Sequence, residues 1–467
     1  MTDTDVFWND LKPLHDIMSS ITIQENKPSE KQIEKEIEDF KEGIQYFIHD
    51  IIINNILLYK EYHFEKFLFE EVYHHIVTAY NNIIDTFNFD IDYHIWDAIE
   101  IYFYKHNLFR SYSSTTIISQ PDIITISKKL KTYENVEQPE QLTPEWYAFR
   151  REGLSASDLW KALDTQSQQN ALIFSKCKPI NIQQRGTNTE SACHNGHRFE
   201  PLSIMHYEFD FNTTVGEFGC IKHREHLFLR ASPDGINTDK KSPLYGRLVE
   251  VKNPVSRKLT GTPKKEYWVQ MQIQMEVWNL DECDFLETVF KTYESEEQFS
   301  DDGESFIRNN HNKRKGILVQ FLNNGEPYYE YPPVDISKVD FDLWYDDIME
   351  LHSNMTWIKN IYWYLEDYSC VLVPRNRKWF QAALPQLQEL WKTVLTERET
   401  GYDHRKPKKQ KRKRKISPNS LNNLEKETIS IFKDSDVSTS VENKNIVIRI
   451  RTESFDETNK KNVNYIN

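Results

Sequence analysis

Two short motifs constrain this chain more than anything else in it: Ser232-Pro233-Asp234-Gly235 and, with fifteen residues between the two acids, Val249-Glu250-Val251-Lys252. Residues 216–231 alternate as a strand does, Pro-Asp-Gly is a turn signal, and residues 247–252 read as a second short strand. Successive strand side chains point to opposite faces, so Glu250 and Lys252 share one. Asp234, on the turn, can meet Glu250 across the hairpin. The fold must then set two carboxylates and an ammonium side by side on one sheet. Asp-Gly is a common turn and Glu-x-Lys recurs by chance, so an ordinary surface hairpin fits the same pattern. The rest of the chain has to separate the two readings.

Two carboxylates and a nearby backbone carbonyl make an oxygen-rich site suited to a hard divalent cation, Mg²⁺ or Mn²⁺. A lysine beside that cation can orient or help deprotonate water and offset phosphate charge, which is what phosphodiester hydrolysis demands. Three further elements fit. Gly196-His197-Arg198-Phe199-Glu200 opens a helix with Phe199, Leu202 and Met205 on one face, and Glu200 lies near that face as a third carboxylate. Tyr267, Gln270, Gln274 and Val277 share one side of a helix over residues 264–279, where glutamines can hydrogen-bond a phosphate or a water. Upstream, Trp146 to Asp158 offers Arg150 and Arg151, then Ser155 and Ser157 at a helix start; arginines and helix N-termini bind phosphate, although either serine alone reads better as an N-cap.

Around this centre the chain divides by texture. Ile33, Ile37, Phe40, Ile44, Phe47 and Ile51 recur at steps of three and four, and similar runs continue through Tyr104, so residues 1–133 are expected as a helical accessory domain. A polar linker over 134–141 leads to interleaved helical and strand-like segments, expected as a mixed α/β core over 143–335 with a polar surface insertion at 291–314. Asn323-Asn324-Gly325 between two apolar runs signals a hairpin. Residues 340–400 read as helical and 401–467 as a basic, mostly disordered tail whose residues 446–450 alternate like a short strand.

Charge is unevenly spread. The net charge is −14, yet residues 405–415 carry nine Lys or Arg and no acid, leaving −14 − 9 = −23 on the rest. A body this acidic can handle a polyanion only through a local basic groove or bound cations. The basic run suits nuclear localisation or a grip on DNA, or is simply solvated. Arg375, Arg377 and Lys378, interleaved with aromatic residues, are expected to extend a DNA groove, with a solvated loop as the equal alternative. No apolar run reaches the length of a membrane span. The N-terminus lacks a basic start and an apolar segment, so an intracellular location is expected. Five scattered cysteines with no C-x-x-C pair point to free thiols in a reducing compartment and against a four-cysteine cluster. Cys193, His194 and His197, and Cys220, His223 and His226, have loosely zinc-like spacing, but residues 220, 223 and 226 would not share one face of a strand, and ordinary solvent or core positions are the better reading.

The order of motifs — Trp146, Arg150 and Ser155-Ala156-Ser157, then Gly196 and Glu200, then Ser232 to Gly235, then Val249 to Lys252, then Tyr267 to Gln272 — resembles the phage-lambda-exonuclease-like (YqaJ-type) viral recombinases of the PD-(D/E)XK nuclease superfamily. The resemblance covers residues 143–290. It implies a restriction-endonuclease-like core, a mixed β-sheet flanked by helices, and Mg²⁺-dependent 5′-to-3′ degradation of one strand of linear duplex DNA, in recombination, repair or replication. It implies a large DNA virus as source, hence a host cytoplasm, viral factory, nucleus or virion as location. It implies a single-strand annealing protein as partner, alongside duplex DNA with free ends and further copies of the chain. Residue by residue, it makes Glu200, Asp234, Glu250 and the Val251 carbonyl the metal ligands. Lys252 becomes the catalytic lysine and Gln270 the active-site glutamine. Arg150 and Ser157, with Arg151 as the neighbouring alternative, become the binders of a DNA 5′-phosphate. An endonuclease or resolvase on the same core, and a DNA-binding scaffold with an inactive core, are the alternatives.

Overall fold

The computed structural model describes residues 30–87, 90–106, 108–134, 136, 138–139, 143–180 and 188–406. The first 29 residues, the basic run beyond Lys406 and the segment 446–450 lie outside the described residues. Among the described residues, 30–406 belong to one compact unit.

In chain order the elements are α1 (Glu30–Asn54), α2 (Phe64–Phe87), α3 (Ile91–His106), β1 (Tyr112–Ser113), α4 (Ile123–Glu134), α5 (Pro144–Arg151), β2 (Leu154–Ser155), α6 (Ala156–Leu159), α7 (Gln166–Cys177), α8 (Ala192–Phe211), β3 (Val215–Gly216), β4 (Ile221–Lys222), β5 (Leu229–Ala231), β6 (Gly235–Asn237), β7 (Leu248–Lys252), α9 (Lys265–Trp278), β8 (Glu282–Thr292), α10 (Glu296–Asp301), β9 (Lys315–Asn323), β10 (Glu326–Glu330), α11 (Lys338–Leu351), β11 (Thr356–Pro374) and α12 (Arg377–Thr400). The main sheet has the order β10-β9-β11-β8-β7-β6-β3, with β1 also on β11. Only β7 and β8 run parallel in it, and α9 makes their crossover. A smaller sheet, β2-β5-β4, lies apart. This is a mixed α/β architecture with helices flanking a mixed sheet, as expected.

The helices before residue 134 do not keep a core to themselves. Ile44, Ile48, Leu68 and Ile95 belong to one continuous buried cluster with Leu154, Trp268 and Val269, and the Tyr59 ring lies 5.6 Å from that of Trp268. The hairpin signal at Asn324-Gly325 is real: both residues have positive φ, 50° and 88°, as a two-residue turn between β9 and β10 requires.

One expectation needs correction. Residues 340–400 are not helical throughout, because residues between α11 and α12 form β11, a 19-residue strand. Its β-branched and aromatic residues, among them Ile361, Trp363, Val371 and Val373, favour a pleated surface, and pairing with both β8 and β9 satisfies its backbone. The 291–314 segment is exposed along much of its length but anchored. Phe299 of α10 packs against Ile317 and Phe341, and the Lys315 ammonium donates to the carbonyls of Phe299 at 2.7 Å and Asp302 at 2.8 Å. No helix among the described residues is long and apolar enough to cross a membrane.

Candidate active site

The acidic centre is built on β6 and β7. Their antiparallel register pairs Gly235 with Val249, which sets Asp234 opposite Glu250, and the Asp234 Oδ2 accepts the Val251 N–H at 2.7 Å. Strand alternation sends Val249 and Val251 into an apolar cluster with Tyr207 and Leu286. Glu250 and Lys252 take the other face, where the Lys252 ammonium donates to Glu250 Oε1 and, at 3.1 Å, to the Val251 carbonyl. Helix α9 completes the cradle. One turn apart, Gln270 and Gln274 donate their amides to Glu250 Oε1 and Oε2, both at 2.6 Å. Gln274 also holds the Ser232 carbonyl at 3.0 Å, fixing the turn that carries Asp234. Glu250 is fully buried, yet each carboxylate oxygen has a nitrogen donor.

Glu200 comes from α8. That helix starts earlier than the sequence suggests, at Ala192, capped by the Ser191 hydroxyl on the His194 N–H. Its buried face is Phe199, Leu202, Ser203 and His206, with Met205 only partly covered. Burial, then the charge of Glu250, raises the Glu200 pKa above its ordinary value. The same two causes raise Asp234 much further. Burial opposes the Lys252 charge, but Glu250 and Asp234 outweigh it and push its pKa up. Three carboxylates against one ammonium leave a buried excess of negative charge, and a hard divalent cation is the chemistry that offsets it. The donor set therefore fits such a cation. The acids are not drawn into a coordination shell: among the described residues no three Asp, Glu, His or Cys side chains converge tightly enough to hold a metal. Lys252, Gln270 and Gln274 occupy the Glu250 oxygens instead.

A second cluster, of opposite sign, lies where α5, β2 and α7 meet. The Arg150 guanidinium sits over the Trp146 ring at 4.5 Å and reaches the Ser157 hydroxyl at 3.4 Å. Ser155 stands at the N-cap position of α6 but makes no side-chain cap bond. Lys176 of α7 lies buried beneath them, donating to the Arg150 carbonyl at 2.8 Å and Ser155 Oγ at 3.5 Å. Burial pushes the Lys176 pKa down to about 8, against the pull of Asp158 and with help from Arg150, Arg230 and Arg398. Arg230 is 3% exposed, and among the described residues its Nε and Nη1 have no hydrogen-bond partner. Arg151 faces elsewhere, donating to the Lys178 carbonyl at 3.0 Å.

Residues 145–281 match the family model of the YqaJ-like viral recombinase domain. An uncharacterized protein of Acanthamoeba polyphaga mimivirus is 29% identical over 317 residues, 60% of this chain. The match spans 57% of that relative's own length. Two crystal structures of an alkaline exonuclease, LHK-Exo, one from Laribacter hongkongensis and one in complex with dAMP, are each 19% identical. They align over 56% and 55% of this chain and 95% of their own, with TM-scores of 0.31 and 0.33.

The matched segment carries both clusters; of the three cations beyond it that are expected to extend a DNA groove, Arg375 is withdrawn from the surface. Arg375 is turned inward onto Glu276, donating through Nε at 2.8 Å and through Nη2, and to Asn279 at 3.0 Å. With its side chain 5% exposed, it is a clamp between β11 and α9 and cannot face DNA. Arg377 is exposed and paired with Asp281 at 2.6 Å; Lys378 is exposed. Arg405, the first residue of the basic run, is held by Glu397 of α12. Two of the candidate zinc-ligating histidines make structural contacts: His194 meets Tyr329 at 2.6 Å, and His223 Nδ1 accepts the Glu225 and His226 N–H groups at 3.0 Å. All five cysteines are free. Sequence reasoning missed Lys176 and Arg230. The Arg230 signal was available in outline, since an arginine inside the apolar strand 228–231 has to be buried or to bind something.

Proposed function

We infer that the chain is a metal-dependent deoxyribonuclease that degrades linear duplex DNA from its ends, in viral recombination or repair. The observation that carries this is Glu250, fully buried and held by Lys252, Gln270 and Gln274 opposite Asp234 inside a YqaJ-like domain. Glu200, Asp234, Glu250 and the Val251 carbonyl would hold Mg²⁺ or Mn²⁺, which when bound supplies Lewis acidity at the scissile phosphate. The chain's own residues do the rest. Gln270 and Gln274 fix the Glu250 carboxylate before substrate arrives, which lowers the cost of reorganisation during reaction. The charged Lys252 offsets negative charge gathering on phosphorus and orients the attacking water. Arg150, with Ser157, offers a cationic fork and a hydroxyl to a terminal phosphate, which favours end-directed cutting and a 5′-to-3′ course.

The test is degradation of end-labelled linear duplex with Mg²⁺, against closed circular DNA. The wild-type chain should degrade the linear form and spare the circle. Asp234→Ala and Lys252→Ala should abolish degradation while remaining folded. Full activity in either variant would sink the assignment, and efficient cutting of the circle would replace it with an endonuclease.

A further inference from the structure

Residues 253–265 link β7, which carries Lys252, to α9, which carries Gln270. They hold Arg257, Lys258, Lys264 and Lys265 and no Asp or Glu, in a chain of net charge −14. We propose that Arg257, Lys258 and Lys264 form the surface that grips the phosphate backbone of the nucleic acid beside the active site. The proposal rests on the nuclease reading above and names the contact that the Arg375 cluster does not provide.

Three observations set this segment apart from a solvated charged loop. It adjoins the reactive group, because the Arg257 guanidinium and the Lys252 ammonium each lie 5.5 Å from the Tyr267 ring centroid. Arg257 meanwhile pairs with Glu287, which is buried on the strand next to Lys252. The segment is also anchored on either side of Arg257 and Lys258. Asn253 donates to Ser203 at 2.8 Å and Thr288 at 2.7 Å; Lys291 holds the Val255 carbonyl at 2.8 Å; Ser111 holds that of Gly261 at 3.2 Å; and Arg110 holds that of Pro263 at 2.9 Å. Arg110 also donates to the Glu61 carbonyl and sits over the Trp268 ring, so loops of the N-terminal region brace the segment. Finally, the cations are sorted. Lys265 turns back to Asp164 at 3.2 Å, whereas Lys258 and Lys264 are exposed. An anchored segment presenting exposed ammonium groups loses little entropy when a polyanion binds. Lys258 and Lys264 then supply attraction without sequence preference, and Arg257 a planar fork nearest the reacting phosphate.

The experiment measures binding of a short fluorescent duplex in EDTA, where cleavage is suppressed, across a range of salt. The wild-type chain is compared with Lys258→Glu/Lys264→Glu and with Lys240→Glu/Lys241→Glu, an equal charge change at exposed lysines elsewhere. The loop pair should weaken binding ~10-fold or more and flatten the log–log salt slope by about 2, close to 1 for each lost phosphate contact. The control pair should leave the slope near wild type. An unchanged slope in the loop pair, or an equal fall in the control pair, overturns the proposal while leaving the nuclease reading standing. A wild-type chain that neither binds nor degrades duplex overturns both.

Discussion

The acidic centre around Glu250 and the cationic corner around Arg230 are built alike and err in opposite directions. Each buries like charges faster than it buries partners for them. In the first, burial and Glu250 lift Glu200 and Asp234. In the second, burial pulls Lys176 down to about 8 and Arg230 down to about 10. They differ in how their hydrogen bonds close. Glu250 has nitrogen donors on both oxygens, while Arg230 keeps Nε and Nη1 unpartnered. Neither cluster is what a chain selected for stability alone would keep, since buried uncompensated charge is costly. The first is short of a cation and the second of an anion. A phosphodiester hydrolase acting at a phosphorylated end needs both.

If the two clusters divide the labour in this way, their variants should fail differently. Lys252→Ala should bring degradation to background on every substrate. Arg150→Ala should keep the chemistry and lose the discrimination between 5′-phosphorylated and 5′-hydroxyl ends, a change of ~10- to 100-fold for one charge-assisted contact of about 1.5–3 kcal/mol. Initial rates on the two linear duplexes measure both. The comparison breaks if Arg150→Ala abolishes degradation of both ends equally, or if Lys252→Ala alters only their ratio.

The hydrogen-bond asymmetry gives a stability prediction. Gln274→Leu strips a donor from the buried Glu250 Oε2 and from the Ser232 carbonyl. Leaving a buried charged acceptor short should cost about 1–3 kcal/mol, read as a lower midpoint in urea unfolding. Mg²⁺ should recover part of the loss, since a ligand that binds only the folded state stabilises it. A midpoint equal to wild type would show that Gln274 does not hold the carboxylate.

How much of this was legible beforehand depended on reach along the chain. Asp234, Glu250 and Lys252 lie on adjoining strands and follow from period-two alternation. Gln270 and Gln274 follow from a one-turn helical step, and Arg150 and Ser157 face each other across a short turn. Local periodicity carries the strand and helix residues, whereas the pairing of Arg150 with Ser157 rested on the family resemblance. Arg375 was misread because a basic, aromatic-rich stretch says nothing about the acids brought against it, and Glu276 lies 99 residues away. Lys176 and Arg230 meet only after α7 packs beneath the small sheet. The strand β11 was hidden because its Trp and Tyr residues also suit a helix, and only pairing on both edges decides the matter.

The smallest expected effect is also the one that best tests the cationic corner. Lys176 binds its proton less tightly in the folded chain, about 8 against an ordinary 10.5. Between those values the unfolded chain carries the extra proton. This group's contribution therefore raises stability as pH climbs from about 8 toward 10.5, and its full penalty is present below about 8. Anion binding runs the other way. Below about 8 the ammonium is charged and helps hold a phosphate; above it the charge is lost. The preference for 5′-phosphorylated over 5′-hydroxyl duplex should therefore decline as pH rises through about 8 in the wild-type chain. In Lys176→Met the preference should be lower and flat with pH, at unchanged rate on the hydroxyl end. A wild-type preference that does not move across that range would mean that Lys176 props the Arg150 carbonyl and the Ser155 hydroxyl without lending its charge to the substrate.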